Sequence, residues 1–397
     1  MRWPEGFMWG TGASSTQCEG ASAASDWFEW ERRGLLPKSG DGNGFAKRFG
    51  EDFAIFAELG LTHHRLSIDW ARVEPAEGVY DEAAVAHYRK ILRTAHAAGI
   101  TPWVCLHHFT LPQWFAESGG FLVEENRTAQ WARHVDFAAE TFGDLVGGWQ
   151  PVNETNYYAY SAYRSSRRPP GRNNREEWGI VSEALQLATA EAALRLKETG
   201  KPVASIFGLS CEVALDDKPQ TIATAQKLRA VNWDAGLGLF RDGVLRIPGR
   251  QPIERPDLAG SFDLIGFSFY ATIGVADGRM VPYPTHAPVS ALGYGIAPEG
   301  LDMVLTRLAE ELPDTPLLVA EYGIGTDDDA IRAKYLSDGL SIVNRAISRG
   351  VDVRGFFHWT GVDNYEWNHG FDVSFGIVDR DRVVRPSAQV LAREVRG

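Results

Sequence analysis

Short apolar, β-branched runs alternate along this chain with longer stretches in which apolar positions recur every three or four residues. The first run, Phe7 to Ser15, reads as a strand. Phe45, Phe49, Phe53 and Phe56 follow at spacings of four, four and three, the stripe of an amphipathic helix, and Gly60 ends it. Thr62 to Trp70 is the second strand, Asp81 to Ala98 a helix stopped by Gly99, and Ile100 to Phe109 the third strand. A helix over Arg127 to Phe142, a strand over Gly148 to Glu154 and an Ala/Leu-rich helix over Glu176 to Thr199 come next. Pro202 to Val213 is the fifth strand, a helix lies within Ile222 to Leu245, and Phe262 to Tyr270 is the sixth strand. Ala271 to Ala297 is long and irregular, either a lid or a plain surface excursion. A helix over Pro298 to Leu312, a strand over Leu317 to Gly323, a helix over Ala330 to Arg349, a strand over Arg354 to Thr360 and a helix over Pro386 to Val395 complete the pattern. Near-continuous apolar strands suit a parallel sheet buried on both faces. Eight β/α units without a linker predict an α/β fold, a single-domain (β/α)8 TIM barrel over residues 1–397, with its active site at the C-terminal ends of the strands. An open doubly wound sheet would carry a glycine-rich turn after the first strand, and Gly10-Thr-Gly12 lacks the third glycine.

Composition changes this picture little. An apolar fraction of 44% and a charged fraction of 23% are globular values and exclude a disordered or fibrous chain. The formal net charge of −12 disfavours nucleic acid, and the densest basic stretch, Arg164 to Arg175, is short and Pro-rich. Cys18, Cys105 and Cys211 are too few and too scattered for a disulfide framework or a zinc site. With no signal-peptide pattern and no apolar run of membrane-spanning length, a cytoplasmic protein without a membrane partner is expected. Thirteen Trp, twelve Tyr and twenty Phe suit core packing, and also a cleft in which ring faces meet the C–H faces of a sugar.

In a barrel, chemistry is read from the strand ends. These carry Gln17 and Glu19, Arg65 and Asp69, His107 and His108, Asn153 and Glu154, Tyr270, Glu321, and finally Trp359, Asp363, Asn364, Glu366 and Trp367. Glu154 and Glu321 close strands four and seven, which lie across the mouth from one another. A protonated and an ionised carboxyl in one pocket suit glycoside hydrolysis. The plainer alternative is a pair of ion-paired barrel residues. A metal site on His107, His108 and Asp69 is a lesser reading, because adjacent residues of a strand point to opposite faces.

At these residues the sequence resembles the retaining β-glycosidases of glycoside hydrolase family 1, the β-glucosidase and β-galactosidase family. The resemblance rests on FMWGTGASSTQCEGA (7–21), HHRLSIDWARVEP (63–75), LHHFTLPQW (106–114), WQPVNE (149–154), AEYG (320–323) and HWTGVDNYEWNHGF (358–371), in order and in register. It implies Glu154 as general acid/base and Glu321 as nucleophile. It implies Arg65 and Tyr270 as the nucleophile's supports and Asn153 as holder of the sugar 2-hydroxyl. Gln17, His108, Glu366 and Trp367 would hold the 3-, 4- and 6-hydroxyls, and Trp359 would form the platform under the ring. Met singly, each has a plainer role: Arg65 a barrel salt bridge, Gln17 a loop cap, Trp359 core, His108 a satisfied buried histidine. Their joint placement at one rim favours a sugar subsite.

The sequence departs from the family at Thr155 (usually Pro), Tyr322 (Asn), Phe109 and Thr110 (Trp and Asp), and Ser268 and Phe269 (Asn and Tyr). Tyr322 and Ser268 border the nucleophile. Glu366 and Trp367 favour an unphosphorylated sugar, since a carboxylate repels phosphate. At 397 residues the chain is shorter than most of the family, which implies trimmed loops on the aglycone side. The expectation is a retaining exo-β-glycosidase for small β-glucosides or oligosaccharides, with galactosides and fucosides as further substrates, needing no cofactor or metal. A transglycosidase using the same site and an impaired sugar-binding protein are its rivals.

Overall fold

The computed structural model describes residues 3–397. Eight strands form the central sheet: β1 (Met8–Gly12), β2 (His63–Ser67), β3 (Thr101–His107), β4 (Gly148–Val152), β5 (Phe207–Gly208), β6 (Ile265–Phe269), β7 (Leu317–Tyr322) and β8 (Val353–Trp359). They pair in parallel in the order β4-β3-β2-β1-β8-β7-β6-β5. The two ends of that order meet. Trp149 bridges Val203, with Trp149 N donating to Pro202 O and Ala204 N to Trp149 O, both at 2.9 Å. The sheet is therefore a ring, and an open doubly wound sheet is excluded.

Alternation along the strands divides the apolar side chains between two layers. Trp103, Cys105, Ala204, Ile206, Leu264, Leu318, Ala320 and Phe357 fill the barrel interior. Val104, Leu106, Leu317, Val319 and Phe356 face outward into the larger core shared with the helices. The phenylalanine stripe behaves as its spacing predicts: Phe45, Phe49, Phe53 and Phe56 are all buried on the helix Phe45–Glu58. The long helix Arg175–Lys197 starts where the Asn174 side chain accepts hydrogen bonds from Glu176 N and Glu177 N.

The structure corrects several expected elements. The fifth run, Pro202 to Val213, is two strands. Its first part closes the barrel, and Glu212–Ala214 leaves to join a separate three-stranded sheet. The parting follows Leu209 N, which still bonds to Ser268 O; Ser210 O turns aside to accept from Trp233 Nε1. Ala271 to Ala297 is not wholly irregular, because Ile273–Ala276 and Arg279–Pro282 form a hairpin that pairs with Glu212–Ala214. The helical stretch within Ile222 to Leu245 is Pro219–Arg229 and Ala235–Asp242 joined by a wider π-turn, Ala230–Asp234. The helix of Arg127 to Phe142 likewise opens with a π-turn, Asn126–Trp131. The first run ends at Gly12, so Gln17 rides on a short helix, Ser15–Glu19, rather than on the strand.

The seam between β5 and β6 depends on Gly266. A Cβ there would stand 2.1 Å from the Ser205 carbonyl oxygen, while Ser205 Oγ donates to Gly266 O at 2.9 Å. Gly266→Ala must push the two strands apart, with an expected loss of about 1–3 kcal/mol in urea denaturation. An unchanged midpoint would show that the seam yields without strain.

Candidate active site

The mouth of the barrel collects all ten predicted side chains around one buried cation. Arg65 on β2 is 0% exposed. Its Nη1 donates to Glu321 Oε1, and its Nη2 donates to Asn153 Oδ1 at 2.7 Å and to His108 Nδ1 at 2.8 Å. Tyr270 donates its hydroxyl to Glu321 Oε2 at 2.5 Å. Both oxygens of Glu321 thus accept from donors, one of them a full positive charge, which is the setting an ionised carboxylate requires.

Glu321 reaches the pocket through an irregularity in its strand. On β7, Leu318 and Ala320 point into the barrel and Leu317 and Val319 point out. Strict alternation would send Glu321 outward. The register of β7 slips between Val319 and Glu321 against β6, and between Val319 and Tyr322 against β8. That bulge turns Glu321 inward and Tyr322 outward. Tyr322 accordingly stacks on Tyr335 at 4.7 Å and donates to Tyr335 O at 2.9 Å. It borders the nucleophile in sequence but faces the helices in space.

Because Arg65 can only donate, His108 Nδ1 accepts and the ring proton lies on Nε2. Asn153 Nδ2 stands 3.3 Å from that Nε2. Two donors cannot satisfy one another, so both are free for oxygens of a ligand. Gln17 Oε1 accepts from Ser14 Oγ at 2.8 Å, and its Nε2 donates to Glu366 Oε2 at 3.1 Å. Trp359 lies beneath, 4% exposed, with the Arg65 guanidinium 5.8 Å above its ring and the His108 ring stacked at 5.7 Å. Trp367 stands at the far end, edge-on to Trp27 at 4.8 Å. His107 turns the other way, toward Phe121, Trp131 and Tyr158, which removes the metal reading.

Glu154 follows β4 with φ of 41°, a left-handed backbone that a side chain adopts only when its surroundings hold it there. Its N–H donates to Ile206 O at 2.9 Å, and its carboxylate accepts from Ser268 Oγ. Ser268 thus pairs with Glu321 across the β6–β7 ladder and turns its hydroxyl to Glu154. Thr155 is anchored too, its hydroxyl accepting from Gln186 Nε2 at 2.8 Å. Gly208 lies alongside, where a Cβ would stand 3.3 Å from Glu154 Oε1.

The carboxyls are treated differently. Burial pushes Glu154 up to about 7, the charge of Glu321 pushes in the same direction, and Ser268 and the more distant arginines pull back. Burial pushes Glu366 up to about 8 against the pull of Arg168. Burial also holds His108 neutral, well below its ordinary value, helped by Arg65. One mouth thus offers a carboxylate paired with a cation, a carboxyl poised near neutrality and a set of free N–H donors over an aromatic floor.

Three further contributors lie outside the ten predicted side chains. Ser268 was met only as a departure from a pattern. Arg168 lies in the basic stretch set aside with nucleic acid, yet it is buried over the rings of Phe109 and Trp367. Residues 284–297 reach the mouth: Leu292 packs on the Trp359, Val373 and Phe375 group. Tyr294 of the same segment stays exposed.

A closed (β/α)8 barrel with two unlike carboxyls at the C-terminal ends of β4 and β7 has the layout of a glycoside hydrolase. The chain belongs to glycosyl hydrolase family 1, whose profile matches residues 1–260 and 251–396. It is 27% identical over 438 residues to β-glucosidase A of Thermotoga maritima, covering 97% of this chain and 96% of that one. It is 29% identical to a bifunctional β-D-glucosidase/β-D-fucosidase of Bifidobacterium breve, covering 95% and 93%. The solved structure of a β-glycosidase from Pyrococcus horikoshii superposes with a TM-score of 0.90 at 30% identity, covering 99% and 95%.

The raised pKa of Glu366 has a consequence for stability. At low pH the carboxyl is protonated in both folded and unfolded chains. Between 4.5 and about 8 the unfolded chain releases its proton while the native chain keeps it, so stability falls as pH rises and levels off above about 8. Glu366→Gln, neutral throughout, is expected to gain roughly 1–3 kcal/mol over the parent between pH 5 and pH 9. Denaturation midpoints of the two proteins that stay parallel across that range would contradict the assignment.

Proposed function

We propose that this hydrolase is a retaining exo-β-glycosidase acting on unphosphorylated β-glucosides, with β-galactosides and β-fucosides as further substrates. The observation that carries the reading is the contrast between the two carboxyls: Glu321 clasped by Arg65 and Tyr270, Glu154 poised at about 7. Glu321 attacks the anomeric carbon as the bond to the leaving oxygen breaks, and Glu154 gives that oxygen its proton. Glu154, now ionised, takes a proton from water. The water oxygen attacks the same carbon, the bond to Glu321 breaks, and the sugar leaves with its configuration retained. Asn153 and His108 offer their free N–H groups to ring hydroxyls, Trp359 supports the ring face, and Gln17, Glu366 and Trp367 close the far end, as exo action requires. The names of the relatives support glucosides and fucosides. The three free, buried thiols are in keeping with our reading of a cytoplasmic enzyme.

Nitrophenyl β-D-glycosides should be hydrolysed by the parent and at least ~1,000-fold more slowly by Glu321→Ala. Glu154→Gln should keep far more activity on a dinitrophenyl glycoside, whose leaving group needs no proton, than on an alkyl glycoside. Release of the α-anomer, seen by NMR, would refute retention. A product joined to an added alcohol in preference to water would favour the transglycosidase. Wild-type behaviour of both glutamate variants would leave a sugar-binding protein.

The acid must be protonated, so kcat/KM should fall as pH rises through about 7. Ser268 donates to Glu154 and favours its ionised form, so Ser268→Ala should raise that pKa and move the alkaline limb upward. A limb that stays in place or moves down would break the link between Ser268 and the acid.

A further inference from the structure

Arg168 is 2% exposed, and its Nε and Nη1 are buried without a hydrogen-bond partner among the described residues. A guanidinium has five N–H donors and cannot shed its charge, so leaving them unmet in a dry site is expensive. Its guanidinium carbon sits 4.4 Å from the ring centroids of both Phe109 and Trp367, with Tyr157 at 5.3 Å and Trp27 at 5.5 Å. Stacking holds the charge but does not satisfy the N–H groups. Glu366 acts on Arg168 through space, yet neither orphaned nitrogen bonds to it. The backbone is fixed as well. Arg168 N donates to Ser161 O at 3.3 Å, and Asn368 Nδ2, next to Trp367, donates to Arg167 O at 3.1 Å. Arg168 is thus tied to the turn that carries Trp367, and its charge acts through space on both Glu366 and His108.

We propose that Arg168 is a specificity-determining residue that touches the sugar: its free N–H groups donate to a hydroxyl oxygen on the C4–C6 edge of a neutral glycone, whose hydroxyl hydrogen goes to Glu366. A hydroxyl both donates and accepts, so the carbonyl oxygen of a carboxyl together with a guanidinium N–H would satisfy it completely. A carboxylate-bearing sugar would meet Arg168 but also Glu366. The proposal rests on the glycosidase reading above, and its test is separate. The parent and Arg168→Met are compared on an aryl β-D-glucoside and on its 4-deoxy and 6-deoxy analogues, with melting temperatures measured alongside. The variant should lose about 10- to 100-fold in kcat/KM on the glucoside. That loss should shrink to a few-fold on the one deoxy substrate that lacks the contacted oxygen. Equal losses on all three substrates would overturn the proposal and leave Arg168 a packing residue. Preference of the parent for an aryl β-D-glucuronide over the glucoside would overturn it in favour of a carboxylate ligand. If Arg168→Met does not fold, Arg168→Lys is read by the same ratio. If the parent hydrolyses none of them, the glycosidase reading fails on its own. Calorimetric binding of glucose, 4-deoxyglucose and 6-deoxyglucose then gives the same comparison.

Discussion

Everything at the mouth of this barrel is arranged around one fully buried arginine. Arg65 meets Glu321, Asn153 and His108 with two nitrogens. A charge so far from water persists only when its partners are fixed. Its pairing with Glu321 sets a cation against that carboxylate inside the protein. Its bond to Asn153 Oδ1 turns the Asn amide N–H groups toward the pocket, and its bond to His108 Nδ1 fixes the ring tautomer. One cation thereby sets a charge, an amide orientation and a proton position. Removing it would leave three polar side chains without direction, and one of them charged.

The same dry environment that makes Arg65 necessary also separates the carboxyls. Glu321 has a cation in contact. Glu154 has a serine hydroxyl and a neighbouring anion, and Glu366 has a glutamine amide and a more distant arginine. Burial acts on all of them, and what differs is what touches each one. Glu154 and Glu321 are therefore distinguished by their contacts, as the proposed roles of acid and nucleophile require. Glu154 and Glu366 resist ionisation near neutrality, so the fold gives up stability there to keep a proton donor and a hydroxyl acceptor in the pocket.

The sequence carried the barrel and the identity of the ten side chains, because strand alternation, helix stripes and the six motifs are local features. It carried less where tertiary pairing overrules local pattern. Counting by twos along β7 sends Glu321 to the wrong face, and only the register slip against β6 and β8 brings it inward. Three of the site's residues, Phe109, Glu154 and Trp367, have left-handed backbones, and none is a glycine that would have signalled it. The fifth run reads as one strand because Cys211 and Val213 continue its pattern on either side of Glu212, and the change of sheet lies in hydrogen bonds that run to distant segments. Arg168 was legible only as part of a basic stretch. Its burial depends on the chain folding back so that the charge ends among the rings of Trp27, Phe109, Tyr157 and Trp367.

The departures from the family pattern also make physical sense together. Thr155 spends its hydroxyl on Gln186 of the long helix Arg175–Lys197, which anchors the start of the segment after Glu154. Ser268 places a small donor against the acid. Phe109 lies under the guanidinium of Arg168, 4.4 Å from its central carbon to the ring centroid. Tyr322 fills space between β7 and its covering helix. None of these residues supplies a reacting atom. Ser268 and Phe109 instead touch Glu154 and Arg168, the two groups to which the proposals give the proton and the sugar's far edge. They are therefore places where sequence can drift and change rate or substrate preference while Arg65, Glu154 and Glu321 stay where they are.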